Sequence, residues 1–194
     1  MTRLSEHFTV EEFGLQDAPR IACFLYKRLA DDILEPIRAF LDCPIRVTSG
    51  WRTPDDAARL AAAGYHPSET SDHFGGSPVA VRDAAKIQIY GRWFWASTGA
   101  ADLVPALPGG AEKAFNLLLA RARRPHPVLD LGALGTIQVG QMIFERNDHG
   151  SAWIHVSNPR GVIVAPELAE KCFPRRQPFL VSTANGKPGY YREP

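Results

Sequence analysis

Two runs near the end of the chain decide the fold class: Thr136-Ile137-Gln138-Val139-Gly140-Gln141-Met142-Ile143-Phe144 and, beyond a polar turn, Trp153-Ile154-His155-Val156-Ser157. In the second run Ile154 and Val156 alternate with Trp153, His155 and Ser157, the period of a strand. His155 therefore projects to the face opposite the two aliphatic residues. The runs read as strands joined by Glu145–Ala152 and so lie side by side. Far upstream, Leu25, Leu29, Ile33, Ile37 and Phe40 or Leu41 recur at helical spacing, predicting a helix over Ala22–Leu41 with a kink or break at Pro36. A helix first and neighbouring strands late argue for an α+β fold, a small antiparallel sheet with flanking helices.

Working outward, Ile45-Arg46-Val47-Thr48 reads as a short strand. Thr53-Pro54-Asp55-Asp56 carries helix-start residues ahead of a helix over Ala57–Ala63, stopped by Gly64. Between His66 and Gly110 loop residues enclose Lys86–Tyr90 and Trp93-Phe94-Trp95, a hairpin turning at Gly91-Arg92. Its aromatics are either a packed face or a contact surface for glycan or a neighbouring subunit. A second helix is predicted over Ala111–Arg123, its C-terminal arginines suiting the helix dipole. After Asn158 the only helical segment is Pro166–Cys172.

Composition removes several classes of function. At 194 residues the chain is one domain. Lys+Arg 22 against Asp+Glu 21 leaves no basic footprint for nucleic acid or an anionic membrane surface. No stretch reaches the ~18 consecutive apolar residues of a membrane span. Cys23, Cys43 and Cys172 form neither a CxxC pair nor an even disulfide set, so they read as reduced thiols. Met1–Phe8 has no apolar signal-peptide core, so an extracytoplasmic substrate would be reached by other means.

Histidine is the residue to follow for metal chemistry. His7, His66, His126 and His149 stand in polar or proline-flanked loops and read as solvated. His73 differs, in Ser71-Asp72-His73-Phe74-Gly75-Gly76, where the glycines permit close backbone approach. His155 is a lone histidine in a strand, a type more often found as a satisfied core residue than as a ligand.

Taken in order, several segments resemble the zinc D-alanyl-D-alanine carboxypeptidase family, which shares its fold with lysostaphin-type peptidases and the hedgehog signalling domain. The nearest likeness is to its phage and bacterial branch of short murein peptidases. The residues that carry it are Leu4–Phe13, Ile33–Arg38, Ile45-Arg46-Val47-Thr48-Ser49-Gly50-Trp51-Arg52-Thr53-Pro54 (similar to a Ser-Gly-Tyr-Arg-Ser-Pro motif), Ser71-Asp72-His73 (similar to Ser-x-His), and the closing runs Gln141–Glu145 and Trp153–Ser157. The resemblance implies a zinc site of the His-Asp-His type, with His73 and His155 as imidazole ligands. It implies that Arg52 binds the substrate carbonyl or carboxylate and steadies an oxyanion, with Ser71 and Trp153 also at the substrate. Arg52 could alternatively make only a surface salt bridge.

The chain departs from the family's pattern in three places. The ligand Asp normally lies seven residues after the first His, where Ala80 stands here. Three readings are open. An insertion over about residues 75–97 moves the Asp to Asp102, within Thr98-Gly99-Ala100-Ala101-Asp102-Leu103-Val104-Pro105; the ligand is Asp83; or the Asp is lost and zinc with it. The general base expected three residues before the last His is replaced by Ala152, which leaves Glu145 as the substitute and Asp148 and His149 as fallbacks. Ala57 stands near where the motif carries Asn. The peptidase-like domain is expected over residues 1–158 and a C-terminal extension over 159–194.

Two functional classes follow. One is a zinc peptidase cutting the stem peptide of peptidoglycan as a D-Ala-D-Ala carboxypeptidase or endopeptidase. With no signal peptide it would be a phage lysis or virion-associated protein, found in the host cytoplasm or the virion and acting at the cell wall. The other is a non-catalytic virion or wall-binding component that keeps the fold and docks on other virion proteins.

Overall fold

A computed structural model describes residues 1–64, 71–80, 88, 93–95, 98–123, 127–147, 149–160 and 179–182. The apolar stripe predicted over Ala22–Leu41 forms helix α1 (Arg20–Leu29), a π-helical stretch (Ala30–Leu34) and helix α2 (Glu35–Leu41). Pro36 sits in the first turn of α2, directly after the π-helical stretch. Proline has no N–H to donate, and its ring crowds the carbonyl four residues back. The wider turn before it is how the helix accommodates the proline where a kink or break was expected. The Thr53 start is a capping box. Its hydroxyl accepts from the Asp56 N–H, the Asp56 carboxylate accepts from the Thr53 N–H, and α3 follows over Pro54–Ala62.

The central sheet has five strands: β1 (Ile45–Ser49), β4 (Ala100–Pro105), β9 (Ala152–Ser157), β8 (Gln141–Arg146) and β10 (Phe179–Ser182), in that spatial order. The first four are mutually antiparallel, and β10 joins β8 in parallel. The segment expected as an extension thus supplies a strand of the sheet. A second sheet pairs β2 (Pro78–Ala80) with β3 (Trp93–Trp95), and a third joins β5 (Ala122–Arg123), β6 (Val128–Asp130) and β7 (Thr136–Gln138). Mixed helix and sheet make the fold α+β.

Several local expectations are corrected. The partner of Trp93–Trp95 is Pro78–Ala80, and Gln88, inside the run read as the hairpin's first strand, is helical. The rest of Lys86–Tyr90, the Gly91-Arg92 turn and Pro166–Cys172 lie outside the described residues. The second helix, α4 (Gly110–Leu119), stops short of Arg123, because Ala122 and Arg123 pair with Leu129 and Val128. The run Thr136–Phe144 is two strands in two sheets. At the break, a Cβ on Gly140 would lie 2.0 Å from the Asn158 carbonyl oxygen, so only glycine lets the backbones pass.

Register assigns the sheet's faces. Leu103 pairs with Ile154 and Ile154 with Phe144; Ala101 pairs with Val156 and Val156 with Met142. All six are buried and face the core with Ala114, Phe115 and Leu118 of α4. Each large apolar side chain so buried contributes about 1.5–3 kcal/mol. The N-terminal segment packs Leu4, Phe8, Phe13 and Leu15 into the same core, with Phe13 edge-on to Tyr26 at 5.6 Å. Among the described residues no helix is long and apolar enough to cross a membrane.

Candidate metal centre

The opposite face of the sheet carries different chemistry. Asp102 pairs with His155, His155 with Ile143, and Trp153 with Glu145, so Asp102, His155, Trp153 and Glu145 project to one side. A bulge in β1 adjusts this side. Val47 pairs with Leu103 and Ser49 with Asp102, so one extra residue is taken up at Thr48, whose hydroxyl donates to the Asp102 carbonyl oxygen at 3.1 Å. Ser49 and Gly50 are thereby set beside Asp102 and the turn bearing His73.

His73 lies in a single 3-10 turn, Asp72–Phe74, capped by Ser71, whose hydroxyl accepts from the His73 N–H at 3.3 Å. Ser71, expected at the substrate, is thus engaged in capping the turn that carries His73. The His73 carbonyl oxygen accepts from the Arg52 N–H at 2.9 Å and from the buried Tyr26 hydroxyl at 3.1 Å. Its Nδ1 lies 2.6 Å from the Gly50 carbonyl oxygen. A carbonyl can only accept, so Nδ1 carries the proton and Nε2 is left with a lone pair. Gly50 is fixed in turn, since a Cβ there would lie 2.6 Å from the Phe13 backbone.

Three donor atoms converge. His73 Nε2 is 3.2 Å from Asp102 Oδ1 and 3.2 Å from His155 Nδ1, and His155 Nδ1 is 3.1 Å from Asp102 Oδ1. All three residues are buried, and together they form a group that could hold a metal ion. Three ligands at about 2.0–2.1 Å from one ion stand about 3.3–3.4 Å apart in tetrahedral directions. At about 2.1–2.2 Å in a facial octahedral set they stand about 3.0–3.1 Å apart. The observed triangle falls between the two, so the residues present fit a single divalent cation. Of the carboxylates considered, Asp102 is the one that the described residues bring beside the two histidines. Asp83 lies outside the described residues.

The electrostatics agree with that fit. Burial would raise the Asp102 pKa, but the neighbouring His73 and His155 imidazoles hold it well below the ordinary carboxylate range. Burial dominates at His73 and keeps that imidazole neutral. Burial also opposes charge on His155, yet the hydrogen bond and charge of Asp102, with the charge of Glu145, raise its pKa overall. A cation bound here would compete with protons for these three side chains.

Around the triangle, Arg52 Nη2 bonds Asp102 Oδ2 at 2.9 Å and Ser49 Oγ at 2.8 Å, and Arg52 Nε bonds Ser49 Oγ at 3.0 Å. Arg52 therefore steadies the Asp102 carboxylate, and its Nη1 is the guanidinium nitrogen without a partner among the described residues. The Trp153 indole N–H donates to Glu145 Oε2. Burial, helped by the Asp102 charge, pushes the Glu145 carboxyl up from its ordinary value. A second ion pair, Arg160 Nη2 to Asp72 Oδ1 at 3.2 Å, anchors the residue before His73.

His149 is exposed in the β8–β9 turn, where its N–H donates to Asn147 Oδ1 at 3.1 Å. His7 pairs with Glu35 at 2.8 Å. Neither joins the cluster. Asp148, His66 and His126 lie outside the described residues. Sequence reasoning missed Tyr26, Ser49 as the brace of Arg52, and Gly50 as the carbonyl that sets the His73 tautomer. Ser49 and Gly50 stood inside the motif run ending at Arg52; Tyr26 carried no signal beyond its place in an apolar stripe. No protein-family model, curated protein or solved structure matches the chain.

Proposed function

We propose that this protein is a zinc-dependent peptidase acting on the stem peptide of peptidoglycan. The observation that carries the reading is the buried triangle of His73 Nε2, Asp102 Oδ1 and His155 Nδ1, each 3.1–3.2 Å from the other two. The donor set alone also suits a non-haem iron centre. Zinc is favoured by the partly buried Glu145 carboxyl on the same face of the sheet, a group suited to moving protons in hydrolysis, and by the resemblance of the surrounding motifs.

A zinc ion on these three residues would lower the pKa of a water molecule and polarise a carbonyl. The remaining work falls to the chain. Glu145, with its raised pKa, accepts the proton lost by the attacking water and returns it to the leaving amine. The Trp153 indole fixes the carboxyl in place. Arg52 holds Asp102 through Nη2 and offers Nη1 to the substrate carbonyl or carboxylate, where negative charge develops.

The test is metal analysis of the purified chain followed by digestion of murein sacculi with chromatography of the released peptides. About one zinc per chain is expected, with stem-peptide cleavage that Glu145→Gln abolishes and Asp83→Ala leaves intact. A chain that cannot be loaded with zinc sinks the reading. A loaded chain that leaves murein intact favours a non-catalytic wall-binding or virion component.

A further inference from the structure

The two segments that supply His73 and Asp102 are far apart in sequence and meet over one side chain of α1. Tyr26 is fully buried, and its hydroxyl donates to the His73 carbonyl oxygen at 3.1 Å. Its ring lies against Gly99, where an added Cβ would come within 3.3 Å of the ring edge, and the Ala100 N–H approaches the hydroxyl at 3.5 Å. Gly99 and Ala100 lead directly into Asp102. The same turn is seated on α1 by Gly76, whose Cβ position is 2.5 Å from the Ala22 backbone nitrogen, and on the second segment by Gly75, whose Cβ position is 2.3 Å from the Thr98 carbonyl oxygen. The turn therefore touches backbone on both sides, and Tyr26 carries the side-chain hydrogen bond from α1 that fixes its height.

We infer that Tyr26 is a positioning residue for metal binding: its hydroxyl registers the His73 turn against the start of β4, so that His73 Nε2 and Asp102 Oδ1 reach one ion. The inference rests on the cluster's being a metal site. The turn's own hydrogen bonds cannot supply this registration. Ser71 caps it internally, and Arg52 reaches the His73 carbonyl from the β1 side. Loss of the hydroxyl leaves the carbonyl one partner and the ring in place, so Tyr26→Phe keeps the core while freeing the turn to shift. Because ligand geometry is set by such outer contacts, the expected cost is a weaker site in a folded chain.

The experiment uses the full chain as wild type, Tyr26→Phe and Leu118→Ala, the last a core truncation on the sheet's other face. Zinc affinity is read by chelator competition, and amide hydrogen exchange is read in the metal-free chain. Tyr26→Phe is expected to weaken zinc binding about 10–100-fold. It is also expected to speed exchange at Arg52, Phe74 and Ser77, whose N–H groups bond within or onto the turn, but not at Ile143 or Val156. Leu118→Ala is expected to lower stability with zinc affinity held within about threefold. Unchanged affinity in Tyr26→Phe overturns the inference, as does exchange that accelerates evenly through the sheet or an equal loss of affinity in Leu118→Ala. A wild-type chain that binds no zinc overturns the metal reading, and with it Tyr26's role toward an ion; exchange localised to the turn would then still support the linkage of the two segments.

Discussion

Strands β8 and β9 present two faces built from alternate residues of the same ten or so positions, and the two could hardly differ more. One carries Met142, Phe144, Ile154 and Val156 against α4, with the Phe144 and Phe115 rings tilted at 39° and their centroids 5.9 Å apart. The other carries Glu145, Trp153 and His155 beside Asp102. The apolar face is non-directional and tolerates a shift of a few tenths of an ångström. The polar face depends on distances near 3.2 Å and on which nitrogen holds a proton. One side of the sheet stabilises, and the other spends part of that stability on holding buried polar groups together.

Substitutions on each face should separate these roles. The largest effect is expected from Asp102→Asn, which removes the anionic ligand: zinc binding by chelator competition should be lost while far-ultraviolet circular dichroism stays native. An unfolded variant would mean that the polar face also carries the fold. Next, Phe144→Ala should cost about 3–5 kcal/mol in urea unfolding, with the folded fraction still binding zinc at wild-type affinity. Arg52→Gln, which releases Asp102 Oδ2, should weaken zinc about 10–100-fold with little change in urea midpoint; an unchanged affinity would make that ion pair a bystander.

The smallest effect belongs to a contact away from both faces. Glu35 accepts from the Ser5 hydroxyl at 2.7 Å and the His7 N–H at 2.7 Å, and its Oε2 lies 2.8 Å from His7 Nδ1. Burial would raise its pKa, but these hydrogen bonds and the nearby His7 lower it overall. A lowered carboxylate pKa stabilises the folded state above the unfolded value near 4.5, and that contribution fades as pH falls through the folded value. Glu35→Gln should therefore cost about 1 kcal/mol at pH 7 and progressively less as the pH is lowered below the unfolded carboxylate's range, measured as urea midpoints on acidification. A difference that grows on acidification would reverse the assignment.

What could be read from sequence follows from range. The alternation in Trp153–Ser157, the stripe through Leu25, Leu29 and Ile33, and the Thr53–Asp56 start are local patterns, and each formed its element. His73, Asp102 and His155 were legible because ordered motifs surrounded them. The π-helical stretch was not, since the stripe shows only that Pro36 must be accommodated and not how. Nor was the split of Thr136–Phe144, which is decided by an Asn158 carbonyl far along the chain. The β1 bulge and the place of Tyr26 beneath the His73 turn likewise depend on partners that no window of neighbouring residues contains. Arg52 was found by its motif, but its hold on Asp102 needed the register of β1 on β4.

The separations within the cluster have a consequence for how the protein comes into being. His73 and Asp102 stand 29 residues apart, Asp102 and His155 53, and His73 and His155 82. A growing chain acquires His73 and then Asp102 well before the strand that completes the set. Until β9 has left the ribosome and zipped between β4 and β8, no nascent chain holds all three donors. The last part of the cluster to be made is thus the strand that joins β4 to β8.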